Sequence, residues 1–201
     1  PLLFRIDNSG AIIDLKEYEN GEPTSFIKTA DGGYIIIGDI VTVNNDNGEF
    51  YDIMLLKVDN DGNEQWIKKF GEDNHQEKSY SIQQSSDGGY IILGTNNNSD
   101  WIIKTDVNGL EEWNRTFGGV GNDFGYSVQQ TSDGGYIIAA YMGGEVSEYQ
   151  FFRTNSFGDM IWSWADTGGS ISNAVFLKES DNGNFIFVAD IFNEQTNELY
   201  S

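Results

Sequence analysis

The chain repeats one short motif, an Asp-Gly turn followed by an apolar run, along its whole length. The motif reads "TADGGYIIIG" from Thr29, "SSDGGYIILG" from Ser85 and "TSDGGYIIAA" from Thr131, and a variant, "SDNGNF", begins at Ser180. Successive copies of the turn are 56, 46 and 49 residues apart. Self-similarity at such an interval predicts an array of similar structural units, none of which buries its apolar face alone.

A second motif lies between the copies of the first. It reads "RIDNSG" at 5–10, "KVDNDG" at 57–62, "KTDVNG" at 104–109 and "RTNSFG" at 153–158. Together the motifs predict four short strands in each unit, with a two-residue type I′ turn between the first two strands and a D-x-x-G turn between the last two. No segment has the spacing or the caps of an α-helix.

The second strand of each unit, "YIII" or a variant, is apolar without alternation. In an antiparallel hairpin, a continuously apolar strand indicates that both faces of the sheet are covered. Four-stranded sheets that stack face to face around an axis cover both faces of every sheet. We therefore predict an all-β fold, a β-propeller. A linear solenoid is the structural alternative, and it would need polar caps at both ends.

The two ends of the chain read as complementary halves of one unit. The chain opens with strands of the third and fourth types, "PLLFRID" and "IIDLKEYE", and closes with the first and second types, "NAVFLKE" and "FIFVADIF". We predict that these halves pair in one sheet, which closes four blades of four antiparallel strands into a ring and removes open edges. A fragment of a larger ring, and two chains that share an eight-bladed ring, are the alternatives.

The predicted boundaries follow from this closure. One domain spans 1–201, with blade 1 split between 1–20 and 172–201, and blades 2 to 4 lie at about 24–71, 79–118 and 125–167. A ring that closes on itself is expected to be a monomer rather than a dimer. Because residue 1 is proline and not methionine, we also expect a trimmed or mature fragment.

Charge and composition exclude several classes of partner and site. The chain has 32 acidic and 11 basic residues, a formal charge of −21, so it lacks the basic clusters that phosphate contacts need, and no nucleic-acid partner is expected. No apolar run approaches the roughly 18 residues of a membrane span, so no direct membrane insertion is expected. With no cysteine and one histidine, zinc sites and the common nucleophile and base pairs are not expected.

The motifs resemble those of a known group. The D-G-G-Y-I-I turn and strand, the "DWIIKTD" hairpin with a tryptophan after its turn, and the "FGG" that follows are similar to β-propeller repeats of archaeal and bacterial cell-surface and secreted proteins. The resemblance covers essentially the whole chain. It implies a propeller fold and an extracellular or cell-surface location, but no particular activity, because propellers host many functions.

Two narrower similarities concern single motifs. Ser85, Asp87 and Gly89 are similar to the Asp-box hairpin of sialidase-like propellers, but sialidase chemistry needs an arginine cluster, and the arginines here are few and scattered. The D-x-x-G-x-x-x-W spacing from Asp106 is similar to the tryptophan-docking repeats of quinoprotein-like propellers. We interpret both motifs as structural.

Other conspicuous residues also have a structural interpretation. The "DNDG" turn at 59–62 carries two acids, but its glycine comes three places after the first Asp rather than five, so it is not an EF-hand loop. The aligned Trp66, Trp113 and Trp162 are expected to pack between neighbouring blades, with sugar stacking as the alternative. His75, in "GEDNHQEKSY", is expected to be solvated.

The long loops are the predicted site. In this strand order, the loops after the second and fourth strands lie on one face of the disc-shaped propeller. They are longer, more variable in length and more polar than the turns on the opposite face. Rigid scaffolds usually carry binding residues on variable loops. The predicted ligand-binding residues are the acids of these loops: Asp46, Glu49, Asp52, Glu77, Asp100, Asp123, Glu145 and Glu148. Their carboxylates would suit Ca²⁺ or a basic ligand.

Three functions fit this sequence. The leading hypothesis is a non-catalytic module of a surface or secreted prokaryotic protein, which binds a protein or a glycan through the long-loop face. The second is a carboxylate-dependent polysaccharide hydrolase or lyase, which needs two acids about 5 to 10 Å apart across a cleft. The third is a structural spacer in a larger surface protein. No catalytic set of residues stands out, so the expectation leans away from an enzyme.

Overall fold

In the described residues, the apolar and turn patterns produce short strands joined by turns and loops. The computed structural model describes residues 1–18, 21–43, 48–73, 75–118, 121–143, 148–166, 171–193 and 198–200. These residues form 17 strands, and every strand pair within a sheet is antiparallel. The described ranges contain no helix, and hence none long and apolar enough to cross a membrane.

The strands form five sheets in chain order, here named A to E. Sheets B, C and D have four strands each, whereas sheet A has two and sheet E has three. The strands are, in sheet A, β1 (Leu2–Ile6) and β2 (Ile12–Glu17); in sheet B, β3 (Glu22–Lys28), β4 (Tyr34–Val43), β5 (Glu49–Val58) and β6 (Glu64–Phe70); in sheet C, β7 (Glu77–Gln84), β8 (Tyr90–Asn96), β9 (Ser99–Thr105) and β10 (Glu111–Phe117); in sheet D, β11 (Phe124–Gln130), β12 (Tyr136–Met142), β13 (Glu148–Thr154) and β14 (Met160–Asp166); and in sheet E, β15 (Ile171–Glu179), β16 (Phe185–Asn193) and β17 (Glu198–Tyr200). The predicted all-β class with four-stranded antiparallel sheets is confirmed.

The Asp-Gly turns differ from the predicted two-residue type I′ turn. The Thr29 N–H donates to the Gly33 carbonyl at 2.9 Å and the Gly32 N–H donates to the Thr29 carbonyl at 3.0 Å, so the loop has three residues. Gly32 has a φ of 90°, whereas Asp31 is not among the described residues with positive φ. This is a type I turn followed by a glycine bulge, and Asp31 stabilises it by accepting the Gly33 N–H at 3.0 Å.

The uninterrupted apolar strands are buried on both faces, as predicted. Ile35 and Ile37 pack in one cluster with residues of sheet C, and Ile36 packs in another cluster with Tyr18, next to sheet A. All three isoleucines are less than 7% exposed. Alternate residues of the same strand therefore bind two different neighbouring sheets.

One contact recurs between successive sheets and confirms the predicted place of the three aligned tryptophans, the third of which, Trp162, lies 6.0 Å from the Phe185 ring of sheet E. The Trp66 ring lies 6.2 Å from the Tyr90 ring of sheet C, and a Cβ on Gly109 of that sheet would lie 2.6 Å from Trp66. One sheet further along, Trp113 contacts Tyr136 and Gly158 in the same way. A large ring on the fourth strand thus fits over a turn glycine of the next sheet.

The two ends of the chain do not form one sheet in this structure. Strands β1 and β2 are a sheet by themselves, and β16 pairs with β17 rather than with β1. No sheet is closed among the described residues, so the predicted pairing of the first and last strands is not observed. Apolar side chains remain exposed at both ends, including Leu2, Ile13 and Leu15 in sheet A and Ile186 and Val188 in sheet E.

Candidate functional site

The loop ends of sheets B, C and D are joined by a continuous series of hydrogen bonds. The Gln76 amide donates to the Glu49 carbonyl at 2.8 Å, and the Asn97 N–H donates to the Gln76 carbonyl at 3.1 Å. The Asp123 N–H donates to the Asn98 carbonyl at 2.9 Å. We name this edge the loop rim, and it comprises Glu49, Tyr51, Glu72, Asp73, Gln76, Asn97, Asn98, Asp123 and Gly143.

The last link of the loop rim is made by a side chain. The Asp123 carboxylate accepts the N–H of Gly143, at the end of β12, at 2.9 Å. A short parallel bridge between Tyr51 and Gln76 holds the first link in place. The rim therefore joins described loop-end residues of three sheets into one hydrogen-bonded edge, although these residues are far apart in sequence.

The connection between β8 and β9 is the tightest turn of the loop rim. Asn97 and Asn98 have φ values of 48° and 74°, and Asn96 pairs with Ser99 directly across the turn. Two successive residues with positive φ make a type I′ turn, and asparagine tolerates that backbone better than most side chains do. Both asparagine side chains are exposed, as are those of Glu49, Glu72 and Asp73.

Glu77 lies directly beneath the exposed residues of the rim. Its side chain has no exposed surface, one oxygen accepts the Glu72 N–H at 3.3 Å, and the other accepts no hydrogen bond from a described residue. Burial raises the pKa of Glu77 to about 7, and the nearby Asp52 carboxylate adds to the rise. His75 lies 3.9 Å from Glu77 and contacts Asn96 at 2.7 Å, so it is not simply solvated as predicted.

Asp100 and Asp123 form a second group of buried acids, one sheet further along. Asp100 has no exposed surface, and neither of its carboxylate oxygens accepts a hydrogen bond from a described residue. Burial, followed by the charge of Asp123, raises the pKa of Asp100 to about 8. Asp100 is therefore mostly protonated at neutral pH.

The predicted ligand-binding acids thus divide by position. Glu77, Asp100 and Asp123 are buried, so in this structure they do not present charge to a ligand. Glu77 and Asp123 instead accept backbone N–H groups of the loops. Glu49 is exposed, whereas Asp52 and Glu148 are half-buried.

The two half-buried acids have neighbours within their own sheets. Asp52 accepts a hydrogen bond from the Thr42 hydroxyl at 3.3 Å, and burial raises its pKa. Glu148 accepts a hydrogen bond from the Gln150 amide. The remaining two predicted residues, Asp46 and Glu145, lie outside the described residues.

The predicted calcium site has no cluster of ligands in the described part of the chain. There, no group of three or more His, Asp or Glu side chains is placed so that it could hold a metal ion. The carboxylates come together only in smaller groups, such as Asp100 with Asp123.

The opposite edge carries a charged contact that the sequence reasoning missed. The Lys57 ammonium, almost fully buried on the third strand of sheet B, lies 2.9 Å from the Asp31 carboxylate in the first turn of that sheet. Lys104 and Asp87 repeat this pair in sheet C at 2.7 Å. The signal was present in the sequence, because each third strand places a lysine or arginine two residues before its turn Asp or Asn.

Comparisons with known proteins assign no family to this arrangement. No protein-family model matches the chain, and no curated protein sequence matches it significantly.

Proposed function

We propose that this chain is a non-catalytic binding module whose ligand, a protein or a glycan, contacts the loop rim. One observation carries the proposal: hydrogen bonds fix the loop backbones of three sheets into one edge, from which polar side chains reach into solvent. A pre-ordered edge loses little conformational entropy on binding, which favours affinity. The exposed rim side chains, Glu49, Glu72, Asp73, Asn97 and Asn98, are hydrogen-bonding groups suited to hydroxyl-rich or basic ligands.

The wider setting is part of the same proposal. The sheet order and the recurrent tryptophan contact support an assignment of the sheets as blades of a β-propeller, in keeping with the repeat motifs described above. The resemblance of those motifs to repeats of prokaryotic surface and secreted proteins supports an extracellular or cell-surface location.

The hydrolase or lyase hypothesis has one observation in its favour. A carboxylic acid with a pKa near 7, like that of Glu77, is typical of a general acid. However, neither Glu77 nor Asp100 has exposed surface, so no substrate can reach them without movement of the loops. Burial beneath an ordered rim fits a supporting role better than proton transfer to a substrate.

The binding proposal is tested with a variant that neutralises the acidic rim. The variant carries Glu49→Gln, Glu72→Gln and Asp73→Asn, and its matched control carries Glu64→Gln, Glu111→Gln and Asp61→Asn at exposed positions on the opposite edge. Labelled proteins are applied to a glycan array and to a library of basic peptides. We expect the wild-type chain and the control to bind a common subset, with at least about tenfold weaker binding by the rim variant.

Each alternative outcome has a definite meaning. Equal binding by the rim variant and the wild-type chain would place the ligand elsewhere and refute the loop rim as the site. No binding by the wild-type chain to any member of either panel would favour the structural spacer. Calcium is tested separately, by the thermal unfolding midpoint with and without a chelator, and an unchanged midpoint removes it.

A further inference from the structure

We propose that the ligand of the loop rim is a neutral glycan and that Phe124, at the sheet D end of the rim, is the ring on which one of its sugars stacks. The proposal rests on the loop rim as the binding site and names the class of ligand. Phe124 is the first residue of β11, directly after Asp123 of the rim, and its side chain is 41% exposed. The polar groups of the rim would bind the hydroxyl groups of the same glycan.

Sheet D departs from the other sheets at the position of Phe124. There, Phe124 pairs with Tyr141 across strands β11 and β12. The matching cross-strand pairs of the other sheets are polar: Glu22 with Asp39 in sheet B, Lys78 with Thr95 in sheet C, and Asn173 with Asp190 in sheet E. Because sheets B, C and E form with polar residues at this position, the fold does not require the aromatic pair. A binding role explains why sheet D has it.

Phe124 lies inside the row of sheets and not at one of its ends. Sheet D packs against sheet C in a cluster that includes Ile91 and Ile138, and against sheet E in a cluster that includes Phe151 and Leu177. Phe124 keeps its exposed surface with both neighbouring sheets in place. The exposure is therefore a property of this position.

Neighbouring aromatic rings hold the Phe124 ring in place. The ring centroid of Tyr80, in sheet C, lies 6.4 Å from that of Phe124, and the Tyr141 centroid lies 6.2 Å from it. Tyr141 in turn contacts Tyr149 at 5.2 Å, and Tyr149 stacks on Tyr126 at 5.9 Å. A ring that is already fixed loses little freedom when a sugar stacks on it, which favours affinity.

The backbone beside Phe124 is fixed by the rim. The Asp123 N–H donates to the Asn98 carbonyl at 2.9 Å, and the Asp123 carboxylate accepts the Gly143 N–H at 2.9 Å. Asn122 lies against Gly143, because a Cβ on that glycine would be 2.4 Å from the Asn122 carbonyl oxygen. The exposed side chains of Asn98 and Asn122 therefore adjoin the Phe124 end of the rim.

These groups match the two kinds of surface that a sugar ring presents. The C–H groups on one face of a pyranose form an apolar surface that can stack on an aromatic ring, whereas the hydroxyl groups around its edge need hydrogen-bond partners. An asparagine side chain offers both donors and an acceptor, which suits a hydroxyl group. An aromatic ring bordered by amides is thus a site for a neutral sugar.

A charged ligand fits the aromatic end of the rim less well. The exposed rim carboxylates, those of Glu49, Glu72 and Asp73, lie in sheet B or directly after it, whereas Asp100 and Asp123, where sheets C and D meet, are buried. A basic peptide would therefore bind at the sheet B end and would not use the rings. An acidic glycan is repelled by the formal charge of −21. A neutral glycan can use both ends, since carboxylates also accept hydrogen bonds from hydroxyl groups.

A variant built from residues of the other sheets tests the proposal. Phe124→Asn with Tyr141→Thr introduces the residues that sheets E and C have at the matching positions, Asn173 and Thr95, and it leaves the charge unchanged. The matched control is Phe157→Asn, in the turn between β13 and β14 at the opposite edge. It removes an aromatic side chain that is 66% exposed and introduces the residue of the matching turn in sheet C.

Binding is measured by titration calorimetry with three sets of probes: neutral oligosaccharides of glucose, mannose and galactose, oligosaccharides of uronic acids, and the library of basic peptides. We expect the wild-type chain and the control to bind neutral oligosaccharides in preference to the other two sets. The Phe124→Asn, Tyr141→Thr variant should bind them at least about 10-fold more weakly, with an unchanged thermal unfolding midpoint.

Two single variants separate stacking on the ring from the folding of sheet D. Phe124→Tyr keeps a flat ring, so its affinity for the neutral oligosaccharide should stay within about threefold of the wild-type value. Phe124→Leu keeps an apolar side chain but removes the ring, so its affinity should fall about 10-fold. Equal affinities of the leucine variant and the wild-type chain would overturn the role of the ring, even if the double variant failed to fold.

Three further results would overturn the proposal, and they differ in what they mean for the loop rim. Glycan binding that is weakened by Glu49→Gln, Glu72→Gln and Asp73→Asn but not by the change at Phe124 would keep the rim as the site and exclude stacking. Rim-dependent binding of basic peptides or uronic acid oligosaccharides alone would keep the rim and exclude a neutral glycan. No binding of any probe would refute the proposed function as well.

Discussion

Lys57 and Asp31 join the third strand of sheet B to the first turn of the same sheet, with 2.9 Å between the ammonium nitrogen and a carboxylate oxygen. The lysine is almost fully buried, whereas the aspartate is largely exposed. The pair recurs as Lys104 with Asp87, and Arg153 with Asp133 occupies the same place in sheet D. In sheets B, C and D, a buried cation on the third strand therefore holds the turn between the first and second strands in place. The turn residues by themselves do not make this contact.

Replacement of Asp31 by Asn is expected to lower the free energy of unfolding at pH 7 by about 1 to 2 kcal/mol, after allowance for the exposure of the aspartate. The pKa of Asp31 is lowered to about 2, first by the Thr29 hydroxyl and then by Lys57. The stabilisation is complete above the unfolded pKa of about 4 and is lost as the pH falls from about 4 to about 2. Urea unfolding at several pH values measures it.

The control for this prediction removes both charges. Asp31→Asn with Lys57→Met leaves no unpaired ammonium in the core, so it should cost less than Asp31→Asn alone. A double variant that is no more stable than the single one would mean that the pair matters little and that Asp31 acts mainly through its turn hydrogen bonds.

Gly109→Ala and Gly10→Ala should separate backbone strain from packing. Both glycines have positive φ, so each substitution costs about 1 kcal/mol of strain. At Gly109 the new methyl group would lie 2.6 Å from the Trp66 ring, whereas at Gly10 no other atom lies within 4 Å of it. We expect Gly109→Ala to be the more destabilising by about 1 to 3 kcal/mol in chemical unfolding of dilute protein. Equal losses of stability would show that the Trp66 ring can move away from the new methyl group without an energetic cost.

Replacement of Asp100 by Asn should stabilise the protein at alkaline pH. The pKa of Asp100 is raised to about 8 by burial, so the folded state holds a proton that the unfolded state releases near pH 4. Its contribution is therefore most favourable below about pH 4 and is lost as the pH rises from about 4 to about 8. We expect Asp100→Asn to gain about 2 kcal/mol over the wild-type chain at pH 9 and little at pH 4, measured by thermal unfolding. A gain in stability that does not depend on pH would contradict the raised pKa of Asp100.

Two variants of Glu77 should separate its charge from its hydrogen bond. Glu77→Gln keeps an oxygen that can accept the Glu72 N–H, and it should remove the loss of stability expected as the pH rises from about 4 to about 7. Glu77→Ala also removes that acceptor, so it should raise the hydrogen-exchange rate at Glu72 and in the adjoining loop. Unchanged exchange in the alanine variant would show that the loop is held by other contacts.

The strand content, the order of strands within sheets B, C and D and the burial of both faces of their second strands could be read from the sequence. These properties depend on local turn residues and on the apolar pattern of single strands, such as Ile35 to Ile37. Both signals can be recognised from a few neighbouring residues. The packing of Trp66 and Trp113 between sheets also followed, because a repeated residue must meet the same environment in each repeat.

Tertiary structure alone decided which acids are buried, how the loops are joined and where the ends lie. Asp100 and Glu49 look equally polar in the sequence, but Asp100 is fully buried and Glu49 is exposed. Contacts between distant segments decide that difference. The hydrogen bonds from Gln76 to Glu49 and from Asp123 to Asn98 likewise join loops that are far apart in sequence. The sequence does not indicate that these loops are close in space. Complementary end strands show that pairing is chemically feasible, whereas the position of β1 relative to β16 depends on the summed geometry of every sheet between them.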